Sequence, residues 1–166
     1  MPYDSKTRVL SLLDQQGRRL FGLLARLTLS QDAAEDLLQE LALRLLASAG
    51  FRESQQPERY AVRAAINLAF EWRRKRRACE PLTSEPDALV SDQLQGLANA
   101  EELRDVLLAL EGLSHIKRQI VVLRYLEGQP FEEVGAAVGK TAHQARALCG
   151  RALLALRRAM QERGHT

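Results

Sequence analysis

The sequence predicts an all-α protein: two small helical domains joined by a flexible acidic linker, the second domain a helix-turn-helix. Three observations predict it. Apolar residues recur at helical spacing over most of the chain, and no strand alternation or fixed-period repeat appears. Leu, Ala and Arg are abundant while aromatics make up only 5%, a mix that favours helix over strand. The helical pattern is lost once, between Cys79 and Ala98, where Pro81, Pro86, Gly96 and several Ser and Asp residues collect.

The first helix is expected from about Lys6 to Leu27, with Val9, Leu13, Leu20, Leu24 and Leu27 on its apolar stripe and Gly17 a candidate break. Ser30 can cap the second helix, since its hydroxyl can accept an orphan backbone N–H. Asp32 and Glu35 fall in its first turn, where the helix dipole favours anions. Ala34, Leu37, Leu38, Leu41 and Leu45 form its buried face, and Gly50 is expected to end it. Residues 50–56 read as a polar loop. Pro57 fits the first position of a third helix, which runs to about Arg77 with Ala61, Ala65, Leu68 and Trp72 along one stripe.

After the linker, Asn99 and Glu102 form a capping box by analogy with the Ser/Thr version. Leu103, Val106, Leu107 and Leu110 then share a face. Gly112 stops that helix, and Ser114 caps the next, which carries Ile116, Ile120 and Leu123. Gly128 stops this one in turn. Pro130 opens a short helix from Phe131 to Val138, Gly139 makes a turn, and a last helix runs from about Thr141 to Gln161.

The expected boundaries are 1–78, 79–98 and 99–166. Each module has only about 70 residues and is marginally stable alone, so a partner can help hold the arrangement. Charge separates the three spans: 1–78 carries +5, 79–98 carries −4 and 99–166 carries +2. Two basic modules flanking an acidic connector suggest a polyanion partner. No apolar stretch approaches 18 residues, and the first ten residues are too polar for a secretory signal, so cytoplasmic residence without membrane insertion is expected. Cys79 and Cys149 have no Cys or His neighbour at metal-ligand spacing and read as two thiols. No metal or other cofactor is implied. His115, His143 and His165 form no H-E-x-x-H motif, there is no phosphate-binding glycine loop, and no nucleophile–base pair can be assembled from spacing.

In the second module a short helix, a glycine turn and a basic helix make the helix-turn-helix pattern. Gly135 is small where the two helices would cross, and Gly139 permits positive φ. Val134, Val138, Ala145 and Leu148 can form the shared core. The outer face would show Thr141, His143, Gln144, Arg146, Ala147, Gly150 and Arg151. Arg and Gln can read base edges in the major groove, while Arg157, Arg158 and Arg163 suit phosphates. Any helical hairpin ending in a charged helix shares part of this pattern.

In the first module Asp32, Asp36 and Glu40 stand at i,i+4 spacing. Like charges so placed destabilise a helix by about 0.2–0.5 kcal/mol per pair. The dipole accounts for Asp32, and Arg44 can relieve Glu40; a basic partner surface would account for the rest, against the plainer reading of a solvated acidic face. The third helix sets Arg59, Arg63, Asn67 and Arg74 on one polar stripe and ends in Arg73-Arg74-Lys75-Arg76-Arg77. Cations suit a helix C-terminus, but five in a row exceed what capping needs, and backbone phosphates are their natural counterion. Phe70 and Trp72 lie beside this run. Aromatics can stack on unpaired bases, and a buried Trp72 fits the same spacing.

Taken together, LTLSQDAAEDLLQELALRL (27–45), PERYAVRAAINLAFEWRRKRR (57–77), LEGLSHIKRQIVVLRYLEGQPFEEVGAAVG (110–139) and the following KTAHQARALCGRALLALRR resemble the extracytoplasmic-function group of sigma-70-type RNA polymerase sigma factors. The resemblance implies a protein that binds bacterial core RNA polymerase, directs it to promoter DNA and helps melt it, the polymerase doing the catalysis. Asp36, Gln39 and Glu40 match the family's polymerase-docking helix. Asn67 falls in the promoter-melting helix, with Arg63, Trp72, Arg73, Arg74, Arg76 and Arg77 around it. The loop from Gly50 to Gln56 matches the loop that captures a flipped minus-ten base. Thr141, His143, Gln144, Arg146 and Arg151 lie on the helix that resembles the reader of the upstream, minus-thirty-five element. The acidic linker would pass through the polymerase cleft toward the RNA exit path. An inhibitory anti-sigma factor is a further partner the resemblance leaves open. Ile66 stands where an Arg often precedes the Asn, Ala147 and Gly150 where polar residues often face DNA, and Lys140 where an apolar turn residue is common. The rival readings are a stand-alone helix-turn-helix regulator and a helical adaptor with no DNA role.

Overall fold

The computed structural model describes residues 4–79 and 100–164, which form two compact units. Among the described residues every regular element is helical.

The first unit contains α1 (Ser5–Thr28), α2 (Gln31–Ala47), α3 (Ala49–Glu53) and α4 (Pro57–Cys79). Asp4 caps α1 by accepting from the Lys6 N–H. The helix runs through Gly17 without the break expected there; a helical glycine costs about 1 kcal/mol relative to Ala, which the packed stripe of Leu20, Leu23, Leu24 and Leu27 readily outweighs. The turn into α2 uses Leu29 at φ 59°, the one non-glycine residue with positive φ among those described. Its N–H bonds the Ala25 carbonyl at 2.8 Å and its side chain is buried, so packing offsets the left-handed backbone. Ser30 caps α2 as expected, accepting from the Ala33 N–H at 3.1 Å.

The helices α1, α2 and α4 pack pairwise around Leu20, Leu24, Leu27, Leu41, Leu45, Ile66 and Phe70. Gly50 does not end α2: Ser48 closes that helix and its hydroxyl caps α3, accepting from the Phe51 N–H at 3.1 Å. Residues 50–56 are therefore not a plain polar loop. Residues 50–53 of the span are helical, and Phe51 among them is fully buried. Pro57 is the first residue of α4, where its missing N–H costs nothing.

The second unit contains α5 (Ala100–Glu111), α6 (His115–Val121), a π turn over Val122–Leu126, α7 (Phe131–Val138) and α8 (Ala142–Glu162). The expected caps hold: Ser114 accepts from the Lys117 N–H, and Gly128 and Gly139 take φ of 65° and 73°. The core is Leu107, Ile120, Leu123, Val134, Ala145, Cys149 and Ala152, with α8 packed on α5, α6 and α7. Val106, placed on the apolar face by spacing, is exposed, and Ala109 is buried instead; Ile116 in the next helix is exposed too. The wide turn at 122–126 was not legible in the sequence. The proposed Asn99 cap and the linker residues 80–98 lie outside the described residues.

Candidate nucleic-acid interface

Three surfaces carry the residues singled out by the sequence. The first is α2. Asp36, Gln39 and Glu40 are all exposed along one side of this helix. Glu40 accepts from Arg44 at 2.7 Å, and Arg44 reaches across to Glu71 on α4 at 3.1 Å. Lys75 completes the chain of charges, 3.0 Å from Glu71. The hydrogen bond from Arg44, then that from Lys75, hold the Glu71 carboxyl down to about 2 against the opposing effect of burial. Sequence reasoning missed Glu71; its i,i+4 spacing to Lys75 was the available signal.

The second surface is α4 with the turn that precedes it. Ile66 is buried, as are Leu68, Ala69 and Phe70, so Phe70 is core and has no face for a base. Trp72 is half-buried, with the Arg76 guanidinium 4.9 Å from its ring centroid. Arg63 lies over the Tyr60 ring at 5.8 Å. Asn67 is half-buried, and Arg74 and Arg77 are exposed. Arg73 turns back and donates to the Leu27 carbonyl at 3.1 Å, a cation at the C-terminal end of α1. The cationic run thus divides: Arg73 ties α4 to α1, Lys75 pairs with Glu71, Arg76 stacks on Trp72, and Arg74 and Arg77 stand outward.

The turn at 52–56 is presented on an anchored base. Phe51 fills the core beneath it with its ring 5.8 Å from that of Tyr60. The Tyr60 and Ser48 hydroxyls lie 2.7 Å apart. From α1, Arg8 donates to the carbonyls of Arg52 and Ser54 and lies 5.3 Å from the Phe51 centroid. A cleft of about 300 Å³ opens beside Arg8, lined also by Ser11, Leu12, Gln15, Pro57 and Glu58. Sequence reasoning missed Arg8.

The third surface is α8. Thr141, His143, Gln144, Arg146, Ala147, Gly150 and Arg151 are all exposed, as the helix-turn-helix pattern predicts. Thr141 and Gln144 also close a capping box: the Thr141 hydroxyl accepts from the Gln144 N–H at 3.1 Å and the Gln144 side-chain oxygen accepts from the Thr141 N–H at 3.0 Å. Arg146 lies 5.2 Å from the Phe131 centroid, and Arg124 lies 4.5 Å from the same ring. Arg124 also donates to the Gln129 carbonyl at 3.1 Å. Arg157 and Arg158 are exposed, whereas Arg163 donates to the Asp105 carbonyl at 3.2 Å and joins the end of α8 to α5. Cys149 is buried, which pushes its thiol up and keeps it protonated. Among the described residues no three His, Cys, Asp or Glu side chains gather where they could hold a metal ion, and no helix is long and apolar enough to cross a membrane.

These surfaces coincide with known sequence families. The Sigma-70 region 2 family matches residues 12–79, and the Sigma-70, region 4 family matches residues 109–158. The RNA polymerase sigma-E factor of Streptomyces avermitilis is 34% identical over 132 residues, covering 78% of this chain and 72% of that protein. The RNA polymerase sigma factor CarQ of Myxococcus xanthus is 31% identical over 153 residues, covering 91% of this chain and 88% of that one. The ECF RNA polymerase sigma factor SigX of Bacillus subtilis is 24% identical over 161 residues, covering 90% and 82%. Region 2 falls on the unit with the basic α4 and region 4 on the helix-turn-helix unit, and this chain belongs to the extracytoplasmic-function group of the sigma-70 family of RNA polymerase sigma factors.

Proposed function

We propose that this sigma factor works through three separate contacts. Asp36, Gln39 and Glu40 dock α2 on a basic surface of bacterial core RNA polymerase. Arg63, Asn67, Trp72, Arg73, Arg74, Arg76 and Arg77 act at the minus-ten DNA, with the segment from Gly50 to Gln56 receiving a flipped base on its 52–56 turn, beyond the buried Phe51. Thr141, His143, Gln144, Arg146 and Arg151 read the upstream element. The observation that carries this reading is the order of the two matched regions along one chain, each on its own compact unit. Binding energy is used to unstack and hold bases, which requires a few kcal/mol; Arg73 contributes by fixing α4 on α1, and Arg74 and Arg77 by meeting phosphates. Module boundaries of 1–78, 79–98 and 99–166, with an acidic linker crossing the polymerase cleft, complete the scheme. It operates in the cytoplasm, and an inhibitory anti-sigma factor is left open as a further partner.

A stand-alone helix-turn-helix regulator would leave the region 2 match and the acidic α2 face without a role. Tight promoter binding in the absence of polymerase would favour it. The test is reconstitution with core polymerase followed by sequencing of the transcript starts. Asp36→Lys with Glu40→Lys is expected to abolish polymerase binding with helix content intact, since charge reversal at a complementary interface costs association. Asn67→Ala and Trp72→Ala are expected to leave that binding near normal and slow melting, read by permanganate footprinting of promoter thymines. Polymerase affinity undiminished by the double reversal would refute the docking assignment.

A further inference from the structure

We propose that Arg8 is a positioning residue for the base-receiving turn: its guanidinium fixes the shape of residues 52–56 without touching DNA. The proposal rests on the reading of that turn as the one that receives a flipped minus-ten base.

The turn begins in the last two residues of α3, a helix of only five residues. So short a helix does not hold itself, because nucleation is costly and propagation has barely begun. Its last carbonyls also lack intrahelical partners. The N-terminal end of α3 is secured by the Ser48 cap, the Ser48–Tyr60 hydroxyl contact and the buried Phe51. The far end is where the base would be met, and there the fixing group comes from α1. One nitrogen of the Arg8 fork donates to the Arg52 carbonyl and the other to the Ser54 carbonyl. Two carbonyls two residues apart, bound by one rigid planar group, define the path of the chain between them. The Phe51 ring, 5.3 Å from the guanidinium carbon, holds the fork in place from below. Arg8 is itself half-buried, and its α1 neighbours Val9 and Leu12 are in the core, so the fork is carried by a rigid element. Gln55 and Gln56 remain exposed beyond the fixed carbonyls. A turn held in advance has less freedom to lose when a base arrives, which favours capture of the fitting base.

Lysine separates positioning from simple attraction to phosphate. It keeps the charge but has no fork, so it cannot bind both carbonyls in the same plane. The experiment uses the full chain with core polymerase and promoters carrying each of the four bases at every minus-ten position. Arg8→Lys and Arg8→Gln are both expected to lower the ratio of open-complex rates between preferred and disfavoured bases at the captured position by about tenfold. Polymerase affinity and dependence on the upstream element should stay as in wild type. Hydrogen exchange on the free chain gives a second readout: amides of 52–56 should exchange about tenfold faster in Arg8→Lys while those of α2 and α4 do not change. That measurement decides the matter if Arg8→Gln fails to fold. Full base preference retained by Arg8→Lys, or unchanged exchange at 52–56, overturns the proposal. A wild type indifferent to base at every minus-ten position refutes the base-capture reading itself, whereas a selective wild type whose selectivity survives both substitutions refutes only the role of Arg8.

Discussion

Two glycines show how differently one residue type can act in the same unit. A Cβ added at Gly135 would lie 2.7 Å from the Lys140 carbonyl oxygen and 2.9 Å from Thr141 backbone atoms. The obstacle is backbone, and it is the turn that sets α8 against α7. Gly135→Ala should therefore destabilise the second unit by about 1–3 kcal/mol, as overpacking does. A Cβ at Gly150 meets nothing within 4 Å, on the exposed face of α8. Gly150→Ala should stabilise by about 0.4–1 kcal/mol, chiefly by restricting the unfolded chain. Thermal unfolding of the two variants checks both signs, and equal melting temperatures would contradict them. If α8 meets DNA closely at Gly150, the same stabilised variant should bind the upstream element less well. The role of Gly135 could be read from the sequence because the helix-turn-helix spacing names the crossing point. The role of Arg8 could not, since its partners lie 44 and 46 residues away and such pairings leave no periodicity. Phe70 was misplaced beside the DNA face because one apolar position on a helix with both a buried and a basic side fits either.

At the scale of the element, α2 and α4 are joined by charge as well as by packing. Arg44 spans from Glu40 to Glu71, and Lys75 closes the series. The Glu71 carboxyl is depressed from the ordinary 4.5 to about 2. A carboxyl depressed in the folded state favours folding fully above its ordinary value, and that contribution disappears as pH falls through the folded value. The window is thus from about 4.5 down to about 2. The pairs are partly solvated, so their worth is about 1 kcal/mol or less. Glu71→Gln should therefore be slightly less stable than wild type at neutral pH, with the gap closing on acidification through this window. Denaturant titrations of both proteins at several pH values test it; a gap independent of pH would show that Glu71 is not ionised in that pairing. Element boundaries were largely legible, because Ser30, Pro57, Ser114, Gly128 and Gly139 each mark an end by cap or conformation. The exceptions have physical causes. Ser48 serves both the end of α2 and the start of α3, so Gly50 falls inside a helix. The π turn keeps the apolar rhythm of the helix before it, so spacing alone does not expose the extra residue per turn.

For the molecule as a whole, charge is uneven along the chain, +5 over 1–78, −4 over 79–98 and +2 over 99–166. This was fully legible, as was the division into two helical units, because both depend on composition and period. What a charge does in place was not, because it depends on which carbonyl or ring lies nearby: Arg73 and Arg163 are spent on the Leu27 and Asp105 carbonyls. The remaining cations of α8 sort into two kinds, and a last prediction follows from the difference. Arg146 is exposed yet held beside Phe131 at 5.2 Å, which limits its orientations and suits a directed, bidentate contact to guanine. Arg157 is exposed further along the helix, where a cation meets phosphate without needing a fixed direction. Arg146→Ala should relax sequence preference at one or two upstream positions, by about 1–3 kcal/mol of discrimination. Arg157→Ala should weaken all promoters about equally and lower the salt slope by about 1. Polymerase-dependent transcription across a randomised upstream element at two salt concentrations separates the outcomes, since phosphate contacts release counterions whatever the sequence. If Arg146→Ala keeps the full preference while changing the salt slope, Arg146 is a phosphate contact too, and base reading must fall to Gln144, His143 or Arg151.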